Sequence, residues 1–364
     1  MIATSDLREL AGFTGRKSLV VTLYLDTDLS RQSKDQVRLV LRELLERARS
    51  ADAPEQDLQR IARYVELGHE WQGRGLVLFS CLADDLWQPM TLPVSVKSQI
   101  YVGDKAYLMP LSNLLDQYAP YVVALVDQER ARLFLIDMGG IVKEEDVVGD
   151  PIKRQKQGGW SASRWQRHTD QQAQHNMRAV ADALSRLCTD ENCQRLVLAG
   201  TEENTAAFRD LMPMPLRQRV LGTIALDIAA TAPVVVERSR ALLADLDERR
   251  KDDLVQRAIT AASKGGPGVT GLPDTLLALQ EGRVMDLLVE EGFAAPGYEC
   301  PSCDYHYVDE AQRCLFCGDA QALKVRNVVE RAVHKAYLQG AAVEVVSGNA
   351  DLARMGHIAA LLRY

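Results

Sequence analysis

The chain has 364 residues, 47% hydrophobic and 26% charged, with a formal net charge of −7. At roughly 100–200 residues per domain this length suggests two to three globular domains, and the composition excludes a disordered or fibrous chain. The acidic total excludes a general nucleic-acid coat, and no apolar run reaches the ~18–20 residues of a membrane-spanning helix, so no membrane partner is expected. The opening, MIATSDLREL, has no basic stretch followed by an apolar one, so no secretory leader is read there. Of seven cysteines, four are grouped late, while Cys81, Cys188 and Cys193 are scattered. That is no disulfide framework, and a cytoplasmic location is expected.

SLVVTLYLD (Ser18–Asp26) reads as a strand, and its end, with Asp26 and Asp28, as solvated. KDQVRLVLRELLERARS places Val37, Val40, Leu41, Leu44 and Leu45 at helical spacing. EQDLQRIARYVELGHEW repeats the pattern, and GRGLVLFSCL reads as a buried strand. A first α/β domain is therefore expected over 1–118. PYVVALVDQERARLFLID holds two strands around a polar turn. A loop with Gly139, Gly140 and Gly149 follows, then a basic segment and a long helix to about Cys188. RLVLAG is a further strand, and Thr201 is placed to cap the helix after it. This alternation predicts a second α/β domain over 119–232. The third, over 233–364, opens with a long charged helix and a glycine-rich turn lacking the Gly-Lys-Ser/Thr of a phosphate loop. Helix, turn and strand come next, then a cysteine module, and finally a helix stopped at Gly340 and a strand. The fold class is α/β, α+β in parts.

Cys300-x2-Cys303 and Cys314-x2-Cys317 are separated by ten residues. Each pair sits on a tight turn that can aim two thiolates at one ion, so the four sulfurs predict a closed, structural Zn2+ site in a small ribbon at 298–320. With four thiolates in place, His306 finds no vacancy and is expected to be exposed or to lie just behind the ligands. Cys188 and Cys193 flank a helix end and are read as packing residues.

Between Ile152 and Arg178 stand Lys153, Arg154, Lys156, Arg164, Arg167 and Arg178 against one acid, Asp170. That segment carries +5 and leaves −12 for the rest of the chain. The helical pattern from Ser161 to Asn176 has almost no apolar stripe, whereas Met177, Val180, Leu184 and Leu187 recur at helical spacing. The expectation is a helix anchored at its distal half, projecting Gly158-Gly159-Trp160. Lys153, Arg154, Lys156, Arg164, Arg167 and His168 suit phosphates, and Trp160 and Trp165 can stack on bases. Composition alone also fits a solvated surface loop.

GGWSASRWQR resembles the middle-domain tip of the archaeal and eukaryotic class-1 peptide chain release factors, where Gly-Gly-Gln precedes Ser-Ala, an Arg, an aromatic and a further Arg. LVVTLYLD, RLVLAGTEENTAAF, GVTGLPDTLLALQEGRVMDLLV and the closing GAAVEVVSGNADLARMGHIAALLRY are similar to other stretches of that family. The resemblance covers nearly the whole chain, is weakest over 30–115, and identifies it as a bacterial relative. It implies three domains, a zinc-ribbon insertion like that of archaeal members, and entry into the ribosomal A site. The partners it implies are rRNA, the P-site tRNA and a GTPase of the elongation-factor-Tu type. The chain departs from the family in two places. Trp160 stands where Gln is expected, which keeps a backbone N–H but removes the side-chain amide. The Asn-Ile-Lys-Ser motif used for stop-codon reading is absent.

Three functions remain open on the sequence. One is rescue of stalled ribosomes by peptidyl-tRNA ester hydrolysis or tRNA cleavage, with Gly158, Gly159 and Trp160 as the working tip. Another is a non-catalytic hibernation factor occupying the A site. The third is an RNA-binding adaptor that acts off the ribosome.

Overall fold

The computed structural model describes residues 4–151, 162–310 and 313–364, with the backbone alone at 4–6 and 162–168. It divides into two compact units: Met1–Asp116 with Glu248–Tyr364, and Gln117–Asp247. The N- and C-terminal parts thus share one unit, and each builds its own sheet.

The N-terminal part runs α1 (Thr4–Gly12), β1 (Val20–Asp26), α2 (Lys34–Ser50), α3 (Glu55–Arg63), β2 (Gly75–Cys81), β3 (Leu86–Leu92), β4 (Gln99–Gly103) and α4 (Met109–Gln117). Its sheet is antiparallel in the order β3-β2-β1-β4. A capping box starts α2: Ser33 Oγ accepts from Gln36 N at 3.3 Å, and Gln36 Oε1 accepts from Ser33 N at 2.7 Å. The apolar stripe Val37, Leu41, Leu44 and Leu45 then covers Val21, Leu23 and Leu25. Each fully buried aliphatic contributes about 2 kcal/mol of transfer free energy.

Three local expectations need correction here. The second predicted helix stops earlier: after α3 comes one wider turn, Tyr64–Gly68, and Trp71 lies beyond it with φ 57°. Asp28 is buried rather than solvated. Its carboxylate accepts from Ser30 N at 3.0 Å and Ser95 Oγ at 3.1 Å. Strands β3 and β4 were not expected at all.

The second unit runs β5 (Tyr121–Val126), β6 (Arg130–Asp137), β7 (Gly140–Val148), α5 (Ala162–Asp190), β8 (Leu196–Gly200), α6 (Glu202–Leu211), α7 (Met214–Arg217), β9 (Val220–Ala225) and the start of α8 (Ala232–Ser263). Its sheet order is β7-β6-β5-β8-β9. Strands β5 and β6 form the expected antiparallel pair, and β8 lies parallel to both β5 and β9. Val122, Ala124 and Val126 pack on one face with Met177, Val180, Leu184 and Leu187 of α5. Tyr121, Val123 and Leu125 pack on the other with Val235 and Leu243 of α8. Cover on both faces explains why β5 is an unbroken apolar run. The glycine-flanked loop expected at 139–149 is instead the edge strand β7, most of it exposed. Thr201 caps α6 as its sequence implies, accepting from Asn204 N at 3.3 Å.

The C-terminal part of the first unit continues α8 and adds β10 (Gly268–Thr270), α9 (Leu272–Gln280), β11 (Val284–Glu290), β12 (Gly297–Glu299), β13 (His306–Tyr307), β14 (Leu323–Val325), α10 (Val328–Leu338), β15 (Ala342–Val346), α11 (Ala350–Arg354) and β16 (Ile358–Leu362). Four strands form a sheet in the order β10-β16-β11-β15, and β13-β12-β14 make a separate ribbon. Val255 and Ala258 of α8 pack against Leu288, Leu352 and Leu361.

Helix α10 joins this part to the N-terminal one through buried polar contacts. His334 is wholly buried, with Nδ1 2.9 Å from Ala11 O and Nε2 2.7 Å from Ala106 O. The Glu330 carboxylate lies 3.5 Å from Nε2. Glu330 Oε1 also accepts from Leu108 N at 2.7 Å, and Arg331 pairs with Asp104. Among the described residues no helix is long and apolar enough to cross a membrane.

Candidate functional site

The four cysteines are brought together by two turns of the same shape. In the first, Asp304 N donates to Cys300 O at 2.9 Å, and Cys300 N donates to Tyr305 O at 2.9 Å. In the second, Gly318 N donates to Cys314 O at 2.9 Å, and Cys314 N donates to Asp319 O at 2.6 Å. The residue after each second cysteine is left-handed, with φ 55° at Asp304 and 81° at Gly318. Glycine takes that conformation freely and aspartate is among the residues that tolerate it.

The ligand atoms of Cys300, Cys303, Cys314 and Cys317 all lie within 4.8 Å of one another. Cys300 Sγ is 3.6 Å from Cys317 Sγ, and Cys303 Sγ is 3.7 Å from Cys314 Sγ. A tetrahedral ion with metal–sulfur bonds of about 2.3 Å sets its sulfurs about 3.8 Å apart, so the set fits such an ion. Burial pushes the Cys314 thiol up, but the N–H groups of Cys317 and Phe316 and the neighbouring sulfurs outweigh it and hold it at about 7. Burial and the neighbouring sulfurs push the Cys303 thiol the other way, up to about 12, so metal binding must displace protons from this set. Cys300 and Cys314 are buried, Cys303 is half-buried and Cys317 is exposed.

The ribbon's small core is aromatic. Tyr298 and Tyr305 each stack on Tyr307 with centroids 5.7 Å apart. Gln280 Nε2 donates to Cys303 O at 2.9 Å and ties the ribbon to α9. His306 corrects the reading that would have exposed it. It is only 3% exposed, and its Nε2 lies 3.3 Å from Glu299 Oε2. Glu299, Asp304 and His306 also converge, but Arg331 Nε engages Glu299 at 3.2 Å and Lys335 engages Asp304 at 3.5 Å.

On the basic segment, Lys153, Arg154, Lys156, Gly158, Gly159 and Trp160 lie outside the described residues. So do the side chains of Arg164, Trp165, Arg167 and His168, whose backbone belongs to α5. The anchorage at either end is described. Met177, Val180, Leu184 and Leu187 are buried, as the spacing predicts. Asn176, 3% exposed, holds the incoming chain: Nδ2 donates to Asp150 O at 2.9 Å and Gln128 O at 3.1 Å, and Oδ1 accepts from Asp150 N at 3.0 Å. Gly149 makes room for it, since a Cβ there would lie 2.4 Å from the Asn176 amide. Sequence reasoning missed Asn176, because nothing in a polar stretch marks one amide as buried. Cys188 and Cys193 are free thiols packed in the core of this unit.

A family model described as Bacterial archaeo-eukaryotic release factor family 10 matches residues 107–258. Peptide chain release factor subunit 1 of Thermococcus onnurineus is 22% identical over 405 aligned positions, covering 98% of this chain and 96% of its own. The chain is related to the archaeal class-1 release factors. The protein of the same description from Methanocaldococcus jannaschii is 26% identical, covering 75% of this chain and 72% of its own. Among solved structures, Saccharomyces cerevisiae Dom34, a translation termination-like factor involved in RNA quality control, is 10% identical. It covers 79% of both chains with a TM-score of 0.46. The archaeal translation termination factor aRF1 is 18% identical, covering 100% of this chain and 99% of its own, with a TM-score of 0.27. The likeness to the archaeal release factors rests on sequence.

Proposed function

We propose that this chain is a bacterial translation factor that enters the ribosomal A site and acts in rescue of stalled ribosomes. The observation that carries the reading is the end-to-end match: 98% of this chain aligns with 96% of an archaeal release factor. The segment of net charge +5 in an acidic chain supports it, because phosphate neutralisation needs such a local surplus. In this reading the chain works as three domains, 1–118, 119–232 and 233–364. Lys153, Arg154, Lys156, Arg164, Trp165, Arg167 and His168 contact rRNA, and Gly158-Gly159-Trp160 reaches toward the P-site tRNA. The four cysteines hold a structural Zn2+, which closes the ribbon and leaves no position open for catalysis. A GTPase of the elongation-factor-Tu type delivers the protein, and its setting is the cytoplasm.

The chemical step in this reading is attack of water on the peptidyl-tRNA ester carbon, with the tRNA hydroxyl as leaving group. The Trp160 backbone N–H is the donor the tip retains for the developing oxyanion. A second reading is favoured by Trp160 itself. An indole cannot orient water as a Gln amide does, but it can stack on a base. The protein would then occupy the A site of idle ribosomes as a hibernation factor without chemistry.

Ribosomes carrying labelled peptidyl-tRNA separate the two. Peptide release that disappears in Gly159→Ala supports rescue by hydrolysis. Tight binding without release supports hibernation. Failure to bind ribosomes at moderate salt leaves an off-ribosome RNA adaptor and removes both.

A further inference from the structure

Within the first unit, helix α10 holds the cysteine ribbon with two cations. Arg331, 5% exposed, engages Glu299 through Nε at 3.2 Å, and Glu299 immediately precedes Cys300. One turn further on, Lys335 Nζ donates to Asp304 O and lies 3.5 Å from the Asp304 carboxylate. Asp304 immediately follows Cys303 and forms the left-handed corner of that turn. Both residues that flank the first cysteine pair are therefore held by α10.

The same helix holds the N-terminal part. Arg331 Nη2 donates to Asp104, Glu330 Oε1 accepts from Leu108 N at 2.7 Å, and His334 Nε2 lies 2.7 Å from Ala106 O. These contacts fall on one short segment, 104–108, between β4 and α4. Its backbone is tied in turn to the start of the chain: Gly15 N donates to Asp104 O at 2.8 Å, and Tyr107 N donates to Thr22 Oγ1 at 3.1 Å.

Arg331 is thus the shared member of a three-residue bridge, Asp104–Arg331–Glu299. Glu299 is the more buried of its two partners, 21% exposed against 44% for Asp104. A buried cation that loses such a partner is strongly destabilised, whereas a pair in solvent matters little. The position of Glu299 depends on the turn beside it, where four sulfurs converge within 4.8 Å. When a bound ion leaves, protons take its place on the sulfurs and the energy that closes the turns is lost. The strands that remain have only two or three residues each, too short to hold the ribbon by themselves.

We propose that the ribbon is a metal-dependent clasp on the N-terminal part. With the cysteines metal-bound, Glu299 fixes Arg331, and Arg331 fixes the 104–108 segment. Loss of the ion frees that segment, although it supplies no ligand. Coupling of this kind is reciprocal, so the Asp104 contact also tightens metal binding. The inference rests on reading the four cysteines as a metal site.

Hydrogen–deuterium exchange of the full-length protein, loaded with equimolar Zn2+ or stripped with EDTA, tests this. Exchange at Leu108, Tyr107 and Gly15 should accelerate about fivefold or more on stripping, while exchange in β2 stays as it was. In the reverse direction, Asp104→Ala should still bind Zn2+ but about fivefold more weakly, read by competition with a chromophoric chelator. The clasp is overturned, with the metal site left standing, if stripping leaves those three amides unchanged or if Asp104→Ala binds Zn2+ as tightly as the parent. It is also overturned if β2 accelerates equally, because the metal then holds the whole unit rather than this segment. A protein that takes up no Zn2+ overturns the site and the clasp together.

Discussion

The Asn176 side-chain amide closes both backbone groups of Asp150, donating to its carbonyl at 2.9 Å and accepting from its N–H at 3.0 Å. It imitates a backbone strand partner just past the end of β7, ahead of the basic segment. The helix that follows that segment therefore also fixes where the segment begins.

Replacing Asn176 by Ala leaves the Asp150 N–H and the Asp150 and Gln128 carbonyls without this partner. The expected loss is about 2–3 kcal/mol of stability, read by urea denaturation. Amide exchange at Asp150 should accelerate, whereas exchange in β1 should stay as it was.

The cysteine turns predict about one zinc per chain by atomic emission, lost in Cys303→Ser or Cys314→Ser. Because metal energy is folding energy for so small a ribbon, chelation should expose Tyr305 and Tyr307. Amide exchange in the sheet of β5, β6 and β8 should not change. Metal retained by both variants would contradict the assignment.

His334→Ala removes the ring that lies between the Ala11 and Ala106 carbonyls and leaves Glu330 beside an empty space. Leaving buried polar groups without a partner costs about 1–3 kcal/mol each. The expected result is a large fall in the melting temperature. His334→Gln, which reaches one carbonyl, should recover part of it.

Different parts of this architecture were legible for different physical reasons. Strand β1 and helix α2 were read correctly because their apolar spacing meets a core. Strand β3 carries Pro89 and lies at a sheet edge, where a missing N–H is tolerated but the strand pattern is broken. Strand β7, another edge, is mostly exposed and carries Lys143, Glu144, Glu145 and Asp146, so no alternation marks it. The cysteines were legible because two C-x2-C turns are a spacing that can bring four thiols to one point. Glu330, Arg331 and His334 were not, since their partners stand far away in sequence, at Leu108, Asp104 and Ala11. A helix pattern shows which face is apolar but not which charges will be buried by a distant segment.

The central claim is that the basic arm docks on ribosomal RNA. Co-sedimentation of the protein with purified ribosomes at moderate salt, beside Arg164→Glu/Arg167→Glu, tests it most directly. The account predicts that the parent pellets with ribosomes while the variant stays in the supernatant with its zinc retained. A parent that fails to pellet, or a variant that pellets equally well, would contradict it.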